Sequence, residues 1–77
     1  MKRLTGFKQT KYALEQGVAQ MVYIAKDADE HVKMPIIELC RQNSVMTQMI
    51  ESKKKLGELC KIHIPAAVAC DINEIDI

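Results

Sequence analysis

A chain of 77 residues makes one domain near the small end of what folds alone, burying roughly 60–65% of its unfolded surface. It is 48% apolar and 27% charged, with one Phe, two Tyr and no Trp, so the core must be aliphatic and no ladder of rings is available to stack on bases. The net charge of +1 argues neither for nor against a polyanion, no apolar stretch approaches the ~20 residues of a membrane span, and no apolar run follows the charges of MKRLTGFKQTK, so neither membrane nor signal peptide is expected.

LTGFKQTKYALEQG predicts a first helix from about Lys8 to Gln16, closed by Gly17, a residue free to take the left-handed conformation at a helix end. MVYIA, Met21 to Ala25, is a continuous apolar run rich in strand formers and predicts a buried strand. KDADEH follows as a polar turn. Pro35 fits the first turn of a second helix, where its missing N–H costs nothing, and Ile36, Ile37, Leu39 and Cys40 give that helix an apolar face before RQNS closes it. VMTQMI, Val45 to Ile50, predicts a second strand. Ser52 is placed to cap a third helix, SKKKLGELCK, with Leu56, Leu59 and Cys60 on one side. IHIP then leads into AAVACDI, a third apolar strand, and NEID reads as a frayed tail. Helix and strand alternating over short connections imply a layered α/β domain, a small sheet covered by helices.

Charge is unevenly placed. Lys2, Arg3, Lys8 and Lys11 crowd the first sixteen residues against Glu15 alone, and Arg41, Lys53, Lys54, Lys55 and Lys61 dominate residues 41–65. Acids gather at Asp27, Asp29, Glu30 and Glu38, and again at Asp71, Glu74 and Asp76. Two helix starts therefore carry lysines where the backbone is already partly positive, which is unfavourable in isolation and favourable around a bound phosphate. The bland alternative is a solvated surface, since the dipole penalty is only ~0.3–1 kcal/mol per lysine.

Cys40, Cys60 and Cys70 have no CxxC or zinc spacing and read as buried free thiols in a reducing cytosol. Asp27, Asp29, Glu30 and His31 offer the oxygens and imidazole of a cation site, but equally suit a solvated turn after a buried strand. His63 would be a general base only with an acid partner, and no nucleophile pattern surrounds it, so no catalytic residue, metal or cofactor is assigned. The methionines, Met34, Met46 and Met49 among them, are expected to fill gaps in the core.

Three stretches, GFKQTKYALEQG, MVYIAKDAD and ESKKKLGELCKIHIPAAVA, together resemble the ribosomal protein L-seven-Ae family, especially its short bacterial members. The resemblance spans about Leu4 to Ile72 and implies a three-layer α/β/α sandwich around a small mixed sheet, acting as one RNA-binding domain over residues 1–77. Family members bind kink-turns through the start of the first conserved helix and an apolar loop before the last strand. Carried onto this chain, the resemblance implies that Gly6 leads the helix, Lys8 meets backbone phosphate, and Gln9 reads a guanine edge with its paired donors and acceptor. Tyr12 stands where the family usually has Lys, and Lys11, one residue away, lies about 100° around the helix and does not replace it. Ile62, His63, Ile64 and Pro65 match the loop that packs on an unstacked nucleotide. Lys61 stands where Gly is usual, and Lys53 and Lys54 add cations. The implied partner is structured RNA, whether ribosomal RNA, a riboswitch or another kink-turn, with the ribosome as one setting. The expectation is a cytoplasmic monomer with no cofactor. A second reading remains, a protein-interaction module on the same fold that has shed RNA affinity, motivated by Tyr12 and the near-neutral charge.

Overall fold

The apolar strands of this chain cannot each bury two faces alone, and they combine into one sheet clad by helices. A computed structural model describes residues 2–73. Its elements are β1 (Lys2–Thr5), α1 (Phe7–Glu15), β2 (Ala19–Ala25), α2 (Glu30–Gln42), β3 (Met46–Ile50), α3 (Lys53–Leu59) and β4 (Val68–Ile72). The sheet order is β1-β4-β2-β3, with β2 parallel to β3 and β4 antiparallel to both of its neighbours. Alternate residues of each strand serve opposite faces. Val22, Ile24, Val68, Cys70 and Ile72 pack under Ala13 and Leu14 of α1 and Ile36 and Cys40 of α2. On the other face Ala25, Ile50 and Ala69 pack against Leu56 of α3. The result is the expected α/β/α sandwich with a small mixed sheet.

The structure adds one strand and corrects three readings of the sequence. β1 has no counterpart among the predicted elements, because KRLT shows no apolar alternation; it is a strand through its pairing with β4, Lys2 opposite Ile72 and Thr5 opposite Ala69. Pro35 is not in the first turn of α2: the helix starts at Glu30, within the stretch read as a turn, and Pro35 lies inside it. Proline removes the N–H that would meet the His31 carbonyl, but both residues are exposed, so water can take that carbonyl. Met34, Met46 and Met49 do not fill the core. They are 56%, 71% and 43% exposed, the last two because β3 is an edge strand that the helices only partly cover. Leu59 is likewise exposed, because α3 is too short to press its last turn onto the sheet. The tail from Glu74 onward lies outside the described residues.

All three helices end in the same way. The amide of the first residue past the cap donates back to the second-last helical carbonyl, and the next amide to the one before it, as Gly17 and Val18 do to Leu14 and Ala13. Ser44 and Val45 close α2 on Arg41 and Cys40, and Lys61 and Ile62 close α3 on Glu58 and Gly57. The motif needs a left-handed residue, and Ser44 and Lys61 adopt it with φ of 55° and 60° although neither is glycine.

Candidate functional site

The topology collects the site at one end of the sheet. β1 ends beside the start of β4, with Thr5 opposite Ala69 and the Gly6 amide 3.0 Å from the Val68 carbonyl. β2 ends there too, its Ala25 amide donating to Ala67. β3 ends alongside, with the Lys26 amide on the Ile50 carbonyl at 2.8 Å. The starts of α1, α2 and α3 and the loop from Lys61 to Ala67 therefore share one rim, the usual place for ligands in α/β sheets.

The start of α1 is open. Gly6 occupies the cap position with φ 110° and ψ 162°, a conformation essentially confined to glycine. It brings no side chain to the helix amides, and no acceptor among the described residues takes the N–H groups of Phe7, Lys8 or Gln9. There is no acid in the first turn, so a positive helix end stands beside exposed Lys8.

The start of α3 differs. Ser52 Oγ accepts from the Lys55 amide at 3.0 Å, as its predicted capping role requires, and Asp27 Oδ1 accepts from the Lys53 amide at 2.8 Å. Those amides are engaged within the protein. What α3 offers outward is the lysine side chains, with Lys54 exposed and Lys53 half-buried. Asp27 is thus a tie between the β2–α2 turn and α3. Among the described residues, no three His, Cys, Asp or Glu side chains converge as metal ligands.

Around α1, at about 100° per residue, Gln9 and Tyr12 share one flank, Lys8 lies at the crest, and Lys11 sits on the far flank, roughly 160° from Gln9. The flank of Tyr12 faces β1. Tyr12, 62% exposed, lines a hollow of about 500 Å³ with Lys2, Leu4, Gln16 and Ile72 among its walls. Gln9 and Lys8 are thus brought together with Tyr12, whereas Lys11 is turned away from Gln9 but lies only about 60° from Lys8, on its other side.

The apolar loop forms a second hollow of about 400 Å³, walled by Ile62, His63, Ile64 and Pro65 and by Lys54 and Glu58 of α3. Ile64 is 67% exposed, which in a chain of this size is a presented rather than a buried surface. Gly57 lets the loop lie there: a Cβ at that position would overlap the Ile64 carbonyl and crowd the Pro65 Cα. The loop is pinned further by the Ala66 amide on the Lys53 carbonyl at 3.0 Å.

Next to this rim, on the sheet face beside α3, is a polar cluster that the sequence did not reveal. Arg3 Nε donates to Asp71 Oδ1 at 2.7 Å, and the Tyr23 hydroxyl donates to Asp71 Oδ2 at 2.7 Å. Burial pushes the Asp71 carboxyl up, but the hydrogen bonds from Arg3 and Tyr23 and the Arg3 charge outweigh it and hold the carboxyl below its ordinary value. The three residues lie on β1, β2 and β4, so no local pattern links them. The one signal in the sequence was an acid inside an otherwise apolar strand, which calls for a cationic partner.

A layered α/β sandwich with its helix starts and an apolar loop gathered at one sheet end defines a compact binding domain. The model of the Ribosomal protein L7Ae/L30e/S12e/Gadd45 family matches residues 2–76, and the chain belongs to that family. It is similar to an RNA-binding protein of Caldanaerobacter subterraneus subsp. tengcongensis, with 42% identity over 92% of this chain and 87% of the relative. It is similar also to RNA-binding protein YbxF of Geobacillus stearothermophilus, with 38% identity over 86% of this chain and 80% of that protein. Among solved structures, the 15.5kD RNA binding protein of Giardia lamblia superposes with a TM-score of 0.85 at 28% identity, over 92% of this chain and 60% of that one.

Proposed function

We propose that this chain is an RNA-binding module that recognises a kink-turn or a similar bent internal loop, and that it is not an enzyme. The observation that carries the reading is the pairing, at one sheet end, of the uncapped α1 start bearing Lys8 and Gln9 with the exposed Ile62–Pro65 loop. The open amides of α1 and Lys8 suit a phosphate, and Gln9 beside them suits a base edge. The deep groove of regular A-form RNA hides such edges, so a site that presents them must be distorted. Ile62, Ile64 and Pro65 offer an apolar seat for an unstacked base. Tyr12, on the same flank as Gln9, supplies a stacking ring, and Lys53, Lys54 and Lys61 add charge along the backbone path. Lys11, on the other side of Lys8 from Gln9, adds charge beside Lys8 and not beside the base reader. Binding the bent form better than the extended one would trap it, a population shift. The proposed setting is the cytoplasm, with ribosomal RNA, a riboswitch or another structured RNA as partner.

Titration with a kink-turn duplex, and with the same duplex after its G·A pairs are replaced, at two salt concentrations tests this. The native duplex should bind more tightly, and Gln9→Ala should erase the preference. Lys8→Ala should weaken both duplexes and lower the salt slope by about one. Equal weak affinity for the two duplexes would refute specific recognition.

A further inference from the structure

The last carbonyls of a helix lack intrahelical donors and need partners. In α3 the Leu56, Gly57 and Glu58 carbonyls are met by the amides of Cys60, Ile62 and Lys61. The Leu59 carbonyl is met from outside the helix, by Arg3 Nη1 at 3.1 Å. Arg3 is itself fixed from two other strands. Its Nε and Nη2 reach the two oxygens of Asp71 at 2.7 and 3.3 Å, its guanidinium carbon lies 5.0 Å from the centroid of the Tyr23 ring, and Tyr23 completes the cluster by donating to Asp71. A side chain rich in conformers is thus locked into a fork that points one donor at the end of α3.

That end needs holding. α3 has only seven residues, its final Leu59 is exposed, and the next residue but one, Lys61, is in the left-handed region that disfavours a side chain. Ile62 to Pro65 follow at once. We infer that Arg3, locked by Asp71 and Tyr23, is a positioning residue that braces the C-terminal end of α3 and so presets the Lys61–Pro65 loop for RNA. The inference rests on the RNA-binding reading for its purpose and on the geometry alone for the brace.

Arg3→Lys is the decisive variant. It keeps the charge but cannot serve Asp71 and the Leu59 carbonyl together. The measurement is amide hydrogen exchange of the whole chain, followed by titration with the kink-turn duplex. In Arg3→Lys the Lys61 and Ile62 amides should exchange about tenfold faster relative to those of α1 and β2, as expected for loss of a charge-assisted bond. Kink-turn affinity should fall several-fold with no change in salt slope, because lysine keeps the charge of Arg3. Tyr23→Phe, which removes one hydroxyl, should move the same amides less and guards against a variant that fails to fold. Loop amides that stay slow, or that accelerate only in step with α1 and β2, would overturn the brace. Faster loop amides with unchanged RNA affinity would overturn its positioning role. If the wild-type chain does not prefer the kink-turn duplex, the RNA reading fails and the purpose of the brace with it, a result visible before any variant is made.

Discussion

Lys61 offers a sharp test of how the binding loop is built, because stability and affinity should move in opposite directions there. Its φ of 60° costs a residue with a Cβ about 1–2 kcal/mol, which glycine escapes. Glycine loses about 0.4–1 kcal/mol of that through the greater freedom of the unfolded chain. Lys61→Gly should therefore stabilise the fold by about 0.5–1 kcal/mol, a rise in melting temperature of about 2–8 °C for a domain of this size. Ser44→Gly, at φ 55° in the same motif at the end of α2, should give a similar gain far from the loop. Lys61→Ala is the control that removes the charge and keeps the strain. Urea denaturation of the four proteins reads the stabilities, and RNA titration at two salts reads the charge. Lys61→Gly should gain stability while losing affinity at low salt, and Lys61→Ala should lose affinity without the gain. If glycine at 61 is no more stable than alanine, the left-handed strain is not there and the reasoning fails.

Gly57→Ala would drive a Cβ into the Ile64 carbonyl, backbone that cannot step aside cheaply. It should cost about 1–3 kcal/mol in urea melts and weaken RNA binding without altering the salt slope. The Asp71 carboxyl is raised by burial and lowered more strongly by Arg3 and Tyr23, so its folded pKa lies below the unfolded value of about 3.9. Its contribution is present above that value and is lost as pH falls through the folded pKa; Asp71→Asn should flatten the acid limb of a stability profile between pH 5 and pH 2. Tyr12→Lys should raise the salt slope by about one and tighten binding, whereas Tyr12→Ala should weaken it; an alanine variant that binds like wild type shows that the ring makes no contact. Cys40, its thiol pushed up to about 11 by burial, and buried Cys70 should resist alkylation at pH 8 in the folded chain. Half-buried Cys60 should react first, as mass spectrometry of the labelled peptides would show.

What the sequence made legible was local. Ser52 as a cap is written in its own side chain, and β2 and β4 are written in largely apolar runs. Gly17 as a helix end is local too. β1 was not legible, because a four-residue edge strand owes its form to β4, nearly seventy residues on. The same separation hid Arg3 and Asp71, which read as members of two unrelated charge clusters until the sheet set them opposite each other. Pro35 misled because its usual position in helices outweighed the Asp-Glu start signal in DADEH, where Asp29 takes the cap position and Glu30 the first turn. At Lys61 the resemblance expected a glycine, and the φ angle supplies the reason. The candidate site was legible as a set of residue types; that the Tyr12 flank faces β1 while Lys11 lies on the other side of Lys8 follows from helix rotation against the sheet, which periodicity alone does not orient.

The two lysine-bearing helix starts looked equivalent in sequence, and their difference bears on how RNA would be held. At α1 glycine leaves three amides free, so a phosphate there would meet backbone N–H groups that no side-chain substitution removes. At α3, Asp27 and Ser52 already occupy the amides of Lys53 and Lys55, so a phosphate would meet only flexible side chains. On the proposed reading, Lys8→Ala should leave a residue of salt-insensitive binding at α1. Lys53→Ala with Lys54→Ala should remove charge steering and slow association more than it speeds release. Stopped-flow rates separate the two: equal effects on association from both ends would mean that α1 holds phosphate by charge alone and that its open amides are idle.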